Sequence, residues 1–157
     1  MPADLKSSQL ETPFSVVVTR PRAQLLPLLD QLDEKTQSAG IATRLYPLPL
    51  LEIECALPHE KVSNLNEAMV QADLIIFVSP NAILMTYQLL RDTGLDWPPN
   101  KTIGLMGGGS ESALLDLKVQ AKKIIKPLNP LQWDAQGLWE ELQSEFTDWA
   151  GKRVVFI

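Results

Sequence analysis

Two patterns of apolar and polar residues alternate along the chain and predict its secondary structure. Short apolar runs predict buried strands at residues 15–18, 41–46, 74–78, 102–106, 119–125 and 153–157. Stretches with an apolar residue every three or four positions predict helices between these strands. The run at 74–78 is apolar on both faces, which predicts a central strand. Because strands alternate with helices, the fold class is α/β with a doubly wound parallel sheet and right-handed crossovers.

Residues at the predicted helix starts are typical N-caps. Ser79 is a predicted N-cap with Pro80 at the first helical position, and Ser110 and Asp134 are predicted N-caps of later helices. Their side-chain oxygens can accept hydrogen bonds from the N–H groups that the first turn of a helix leaves unpaired. These residues predict where the chain leaves the sheet and enters a helix.

Proline and glycine define the first predicted helix. Pro27 lacks a backbone N–H and fits only in the first turn, which places the helix start near Ala23. Gly40 is the predicted C-terminal cap. Further on, apolar residues alternate with two glutamates over residues 51–55. This alternation predicts an exposed edge strand or a bridging ribbon.

Composition limits the classes of protein to consider. Of the 157 residues, 45% are hydrophobic and 21% are charged, which suits one ordinary globular core and argues against disorder. The single cysteine, Cys55, cannot form an internal disulfide, and with the single histidine, His59, it provides no cluster of ligands for zinc or iron. The net charge of -5 argues against nucleic acid as a partner.

The N-terminal segment is polar. Residues 1–13 mix charged and polar side chains and lack the apolar core of a signal peptide, which predicts a flexible leader. No apolar run is long enough to span a bilayer. We therefore expect a cytoplasmic chain that has no membrane partner.

Candidate binding residues follow three predicted strands. In open α/β sheets, ligands bind outside the carboxyl ends of the strands, where helix N-termini present free N–H groups. Small hydroxyl residues and glycines at such turns suit an anionic oxygen, although Ser79 and Ser110 could also serve only as helix caps. The candidates are Thr19, Arg20 and Pro21 in the first turn, Ser79, Pro80 and Asn81 in the second, and Gly107, Gly108 and Ser110 in the third.

Other polar and aromatic residues have two interpretations each. Arg20 and Arg22 could pair with carboxylates or could be solvated surface arginines. Glu52 and Glu54 could act in acid–base chemistry or form a solvated face. Three tryptophans are predicted to pack rather than to form a stacking surface: Trp133, Trp139 and Trp149.

Five segments resemble, in order and spacing, segments of bacterial uroporphyrinogen-III synthases. They are VVVTRP at residues 16–21, PLLEIE at 49–54, DLIIFVSPNA at 73–82, DAQGL at 134–138 and GKRVV at 151–155. The likeness covers residues 15–157 and corresponds to about the first half of a family member. No single segment is diagnostic, but five in sequence are fairly specific.

The resemblance implies a flavodoxin-like, two-domain synthase whose active site lies in the cleft between the domains. Residues 14–50 would open a split first domain and run into the ribbon between domains, and residues 51–157 would form the second domain. The family reaction is a hydro-lyase cyclisation of the linear tetrapyrrole hydroxymethylbilane to uroporphyrinogen III, with loss of water and inversion of the last pyrrole ring. It requires no metal or organic cofactor, and the full-length protein is expected to be a monomer.

The resemblance also implies which parts are missing. The chain ends inside an apolar strand at Ile157, so we expect a truncated form whose domains are incomplete. A tyrosine that relatives carry would lie beyond this residue, which leaves the catalytic residue unknown and predicts that the chain alone is inactive. Glu111 departs from the small residue of relatives and would repel a carboxylate if it faced the cleft.

Two alternatives remain open from the sequence. One is a non-catalytic, flavodoxin-like module that binds a small anion or a nucleotide. The other is a structural fragment that self-associates through an exposed face of the first domain.

Overall fold

The computed structural model describes residues 12–157. Most of the predicted leader at 1–13 lies outside the described residues. The chain divides into two compact units, with the division between Ile53 and Glu54. This division falls close to the predicted domain boundary at residues 50 and 51.

Unit 1 contains a β-α-β motif, as predicted. Strand β1 (Phe14–Val18) is followed by helix α1 (Arg22–Ser38) and strand β2 (Thr43–Pro47). The two strands pair in parallel, with Val16 opposite Leu45. A right-handed helical crossover is the usual connection between parallel neighbours.

Helix α1 starts one residue before the predicted position, and Pro27 lies inside it rather than in its first turn. The prediction about Pro27 was therefore wrong, and the helix continues past a residue that cannot donate a backbone hydrogen bond. The prediction about Gly40 is confirmed. Gly40 has φ +68° and its N–H donates to the Gln37 carbonyl at 3.0 Å, while the Ile41 N–H donates to the Thr36 carbonyl at 2.9 Å. These two bonds form a Schellman motif, which requires a left-handed residue.

The predicted edge strand at residues 51–55 is absent from the described chain. Residues 48–56 form no strand, and Leu51 and Ile53 are both exposed. Alternation of apolar and polar residues produces a strand only where a neighbouring backbone accepts its hydrogen bonds. Glu52 instead pairs with Arg22 Nε at 3.3 Å on the surface, where such pairs contribute about 0–1 kcal/mol.

Unit 2 contains one parallel sheet. Its elements are α2 (Val62–Gln71), β3 (Leu74–Phe77), α3 (Pro80–Asp92), β4 (Lys101–Leu105), α4 (Gly108–Asp116), β5 (Ala121–Ile125), α5 (Ala135–Glu145) and β6 (Val154–Phe156). The strands lie in the order β5-β4-β3-β6, and every neighbouring pair is parallel. All four residues of β3 are buried, so the predicted central strand is confirmed.

Helices cover both faces of this sheet. Ile75 and Phe77 belong to a large apolar cluster with residues of α2, α3 and α4. Leu74 and Ile76 belong to a smaller cluster with Leu138 of α5. Because alternate residues of a strand point to opposite faces, the two clusters lie on opposite sides of the sheet. Among the described residues, no helix combines the length and apolarity needed to cross a bilayer.

Asp73 connects the start of β3 to the start of β6. Its Oδ2 accepts a hydrogen bond from the Arg153 N–H at 2.9 Å, and its own N–H donates to the Arg153 carbonyl at 2.9 Å. The hydrogen bond from the Arg153 backbone lowers the pKa of this exposed carboxyl below its ordinary value of 3.8, and the charges of Lys152, Arg153 and Lys101 act in the same direction.

This lowered pKa predicts an acid-dependent contribution to stability. A carboxyl whose pKa is lower in the folded state stabilises the fold above its unfolded pKa, and the contribution is lost as pH falls through the folded pKa. We expect the difference in unfolding free energy between wild type and Asp73→Asn to shrink as pH falls below 3.8. Urea denaturation at several values between about pH 2 and pH 6 measures it. A difference that is constant over this range would contradict the assignment.

Candidate functional site

Two turns lie side by side at the carboxyl edge of the unit 2 sheet. Strands β3 and β4 are parallel neighbours, and each is followed within a few residues by a helix start. The two turns lie close together, because a Cβ built on Gly109 would lie 3.3 Å from Pro80 Cγ. We call residues 79–81 and 107–109 the strand-end site.

Ser79 is the N-cap of α3, as predicted. Its Oγ accepts a hydrogen bond from the Ala82 N–H at 3.1 Å, and Pro80 occupies the first helical position. The side chain is half-buried. A serine hydroxyl that accepts one hydrogen bond retains its own O–H as a donor. Ser79 can therefore cap the helix and still donate to an anionic oxygen.

The start of α4 differs from the prediction. Gly107 is the N-cap, in an extended conformation with φ −177° and ψ 164°, and no side chain caps this helix. Ser110 lies within the first turn, where its N–H donates to the Gly107 carbonyl at 3.1 Å, and it is only 3% exposed. The predicted cap at Ser110 was wrong because the backbone turns into the helix three residues before the first hydroxyl. We therefore exclude Ser110 from the strand-end site.

Helix N-termini are the source of positive potential at this edge. The first N–H groups of an α-helix have no intrahelical acceptor, and the helix dipole favours negative charge near them. Helix α3 has 13 residues and helix α4 has 9. Because the two helix starts lie close together, the N–H groups of either helix can bind an anionic group at this edge.

Glu111 does not add unpaired negative charge beside this edge. Its Oε2 forms an ion pair with Lys126 Nζ, and both side chains are partly buried. Lys126 directly follows β5, at the same edge of the sheet. The positive charge of Lys126 therefore offsets the negative charge of Glu111. From the sequence, Glu111 was expected to repel an acidic ligand if it faced the cleft.

The Trp133 indole also lies at this edge of the sheet, a position that no sequence pattern predicted. A Cβ built on Gly108 would lie 2.5 Å from Cη2 of the Trp133 indole, and one on Gly107 would lie 3.9 Å from Cε3. Gly108 therefore provides the space in which the indole packs. The glycine triplet alone did not predict this, because its partner is more than twenty residues away in the sequence.

An apolar pocket lies beside the strand-end site on the α5 face of the sheet. It has a volume of about 460 Å³, and its lining includes Val78 and Met106, the residues that directly precede the two turns. Trp139 and Trp149 also line it, with ring centroids 5.6 Å apart. The two tryptophans pack on each other, as predicted, although Trp139 is 43% exposed.

The turn after β1 is described within unit 1. Thr19 and Arg20 are exposed, and Pro21 is the N-cap residue of α1 without a side-chain cap. Arg20 lines a shallow groove of about 320 Å³ with residues of α1. The guanidinium is thus available for bidentate contact with a carboxylate.

No protein-family model matches this chain, and no curated protein matches it in sequence. Among the described residues, no group of three or more histidine, cysteine, aspartate or glutamate side chains could hold a metal ion.

Proposed function

We propose that this chain belongs to a uroporphyrinogen-III synthase and supplies part of its binding surface for hydroxymethylbilane. The proposal rests first on the proximity of the starts of α3 and α4 at one edge of a parallel sheet, because helix N-termini favour negatively charged groups. The five segments that resemble the family add support, since two of them contain residues of the turns after β1 and β3.

The strand order supports the finer assignment of a doubly wound, flavodoxin-like sheet. The chain passes from β3 outward to β4 and β5 and then returns to β6 on the other side of β3. Ligands of such sheets bind outside the carboxyl ends of the strands, where the order reverses. Ser79 lies two residues after the end of β3, so the strand-end site adjoins the expected crevice.

The proposed role is to position a flexible acid. In the family reaction, loss of the hydroxyl leaves an electrophilic azafulvene that can close without inversion of the last ring. An enzyme then contributes mainly by holding the chain of pyrroles so that the substituted carbon attacks first. In unit 2, the Ser79 hydroxyl and the backbone N–H groups of α3 and α4 can hold carboxylate arms in that way. Separately, in unit 1, the exposed Arg20 can bind a carboxylate through its guanidinium.

The test is a comparison of ligand classes by fluorescence anisotropy. We expect saturable binding of uroporphyrin, which carries carboxylate arms on every ring, and weaker binding of a porphyrin that lacks most of those arms. Flavin mononucleotide and adenosine diphosphate test the alternative of a nucleotide-binding module. Preferential binding of flavin or nucleotide would overturn the proposal, as would equal affinity for the two porphyrins.

A further inference from the structure

The Trp133 indole forms an aromatic wall at the start of α4. It packs on the backbone of Gly107 and Gly108, yet 47% of the residue remains exposed. The ring therefore contacts the glycine turn of the strand-end site, and nearly half of the residue is still open to solvent. Phe77, by contrast, has no exposed surface: it is fully buried and stacks on Trp97.

Local hydrogen bonds fix the segment that carries this ring. The Asp134 N–H donates to the Gln132 carbonyl at 2.9 Å, and Trp133 between them has φ −79° and ψ 70°, which is an inverse γ-turn. On one side, Asn129 Oδ1 accepts from the Leu131 N–H at 3.0 Å. On the other side, Asp134 Oδ1 accepts from the Gly137 N–H at 2.8 Å and caps α5. The backbone that carries the indole is thus fixed by local hydrogen bonds, and the ring itself rests on the glycine turn.

We propose that Trp133 is a specificity-determining residue of the strand-end site, and that it selects acids whose carboxylate arms are carried by a flat aromatic ring. Such a ligand places its carboxylate at the helix starts and its ring against the exposed part of the indole. A simple aliphatic acid gains only the first contact. This inference rests on the proposed function, because it assumes that acids bind at this edge.

The test measures two acids on the same variants. Uroporphyrin is the ring-bearing probe, and citrate, measured by competition with it, is the aliphatic probe. We expect Trp133→Ala to weaken uroporphyrin binding about fivefold and to change citrate binding by less than about twofold, since only the ring contact is lost. Trp133→Phe, which keeps an aromatic ring, is expected to remain within about twofold of wild type for both.

Two further variants test whether the position of the indole, and not only its presence, determines the selectivity. Gly108→Ala keeps Trp133 but introduces a Cβ 2.5 Å from the ring, so it displaces the indole. Because Gly108 belongs to the strand-end site, we expect it to weaken the binding of both acids, and to weaken uroporphyrin binding more than citrate binding. Trp139→Ala is the matched control, because Trp139 is similarly exposed, at 43%, but stacks on Trp149 and not on the glycine turn. It is expected to leave the ratio of the two affinities unchanged.

The outcomes distinguish this inference from the proposed function. If wild type binds uroporphyrin and Trp133→Ala weakens both acids equally, or neither, only the role of Trp133 is overturned. If wild type does not bind uroporphyrin, the proposed function fails and the role of Trp133 fails with it.

Discussion

Gly137→Ala is expected to lower the free energy of unfolding of unit 2 by about 0.5–4 kcal/mol, although alanine favours helices. A Cβ at this position would lie 2.2 Å from the Gln132 carbonyl oxygen and 3.1 Å from Pro127 Cβ. A contact of 2.2 Å with backbone forces the chain to shift, at a cost of about 1–3 kcal/mol. The shift also weakens the cap from Asp134 to the Gly137 N–H, which is worth about 0.5–2 kcal/mol. Together these costs exceed the roughly 1 kcal/mol that alanine gains over glycine in a helix.

Urea denaturation followed by circular dichroism measures this change. Gly109→Ala is the control, because it makes the same substitution in the first turn of α4, where the nearest atom is Pro80 Cγ at 3.3 Å. We expect this control to stay within about 1 kcal/mol of wild type. An unchanged or increased stability of Gly137→Ala would show that α5 does not start against the 130–134 segment as described.

Most of the fold follows from periodicity and capping chemistry. The apolar run at residues 74–78 has no polar face, which predicts burial on both sides. Strand β3 is buried over Leu74–Phe77, whereas Val78, which follows it, is 51% exposed. Ser79 and Asp134 each precede a helix and cap it through the residue three positions on. These features depend on residues that are close in sequence, which is why a local pattern can predict them.

The wrong or missing predictions concern structural features that depend on residues far away in the sequence or on backbone conformation alone. Residues 51–55 alternate correctly for a strand, but no described neighbour pairs with them. Gly107 is the N-cap of α4 but has no side chain that could mark it in the sequence. The cap was therefore predicted at Ser110, the first hydroxyl residue after the strand. Trp133 reaches Gly108 through a tertiary contact that no spacing in the sequence encodes.

The candidate site was predicted in part for the same reason. A hydroxyl or glycine after a strand marks a turn that faces the carboxyl edge, and the parallel pairing of β3 with β4 then brings two such turns together. Burial of Ser110 and the ion pair between Glu111 and Lys126 depend on packing among α4 and β5. Those details decide which residues of the turn can meet a ligand, and the sequence pattern does not contain them.

The proposal that acids bind at the strand-end site makes a sharp prediction for Ser79→Asp. Aspartate is as good an N-cap as serine, so the start of α3 and its hydrogen bond to the Ala82 N–H are expected to persist. The new carboxylate, however, places a negative charge where the ligand's own carboxylate would bind. Even with screening by solvent, two carboxylates in neighbouring positions repel each other enough to weaken binding of the ligand at least about tenfold.

Ser79→Asn is the matched variant, since asparagine caps helices equally well and adds no charge. The decisive measurement is the dissociation constant of uroporphyrin for wild type, Ser79→Asn and Ser79→Asp, with thermal unfolding recorded for all three. The account predicts similar unfolding temperatures, similar binding by wild type and Ser79→Asn, and at least about tenfold weaker binding by Ser79→Asp. Equal binding by Ser79→Asp and Ser79→Asn at unchanged stability would mean that Ser79 only caps its helix, and would contradict the binding of acids at this edge.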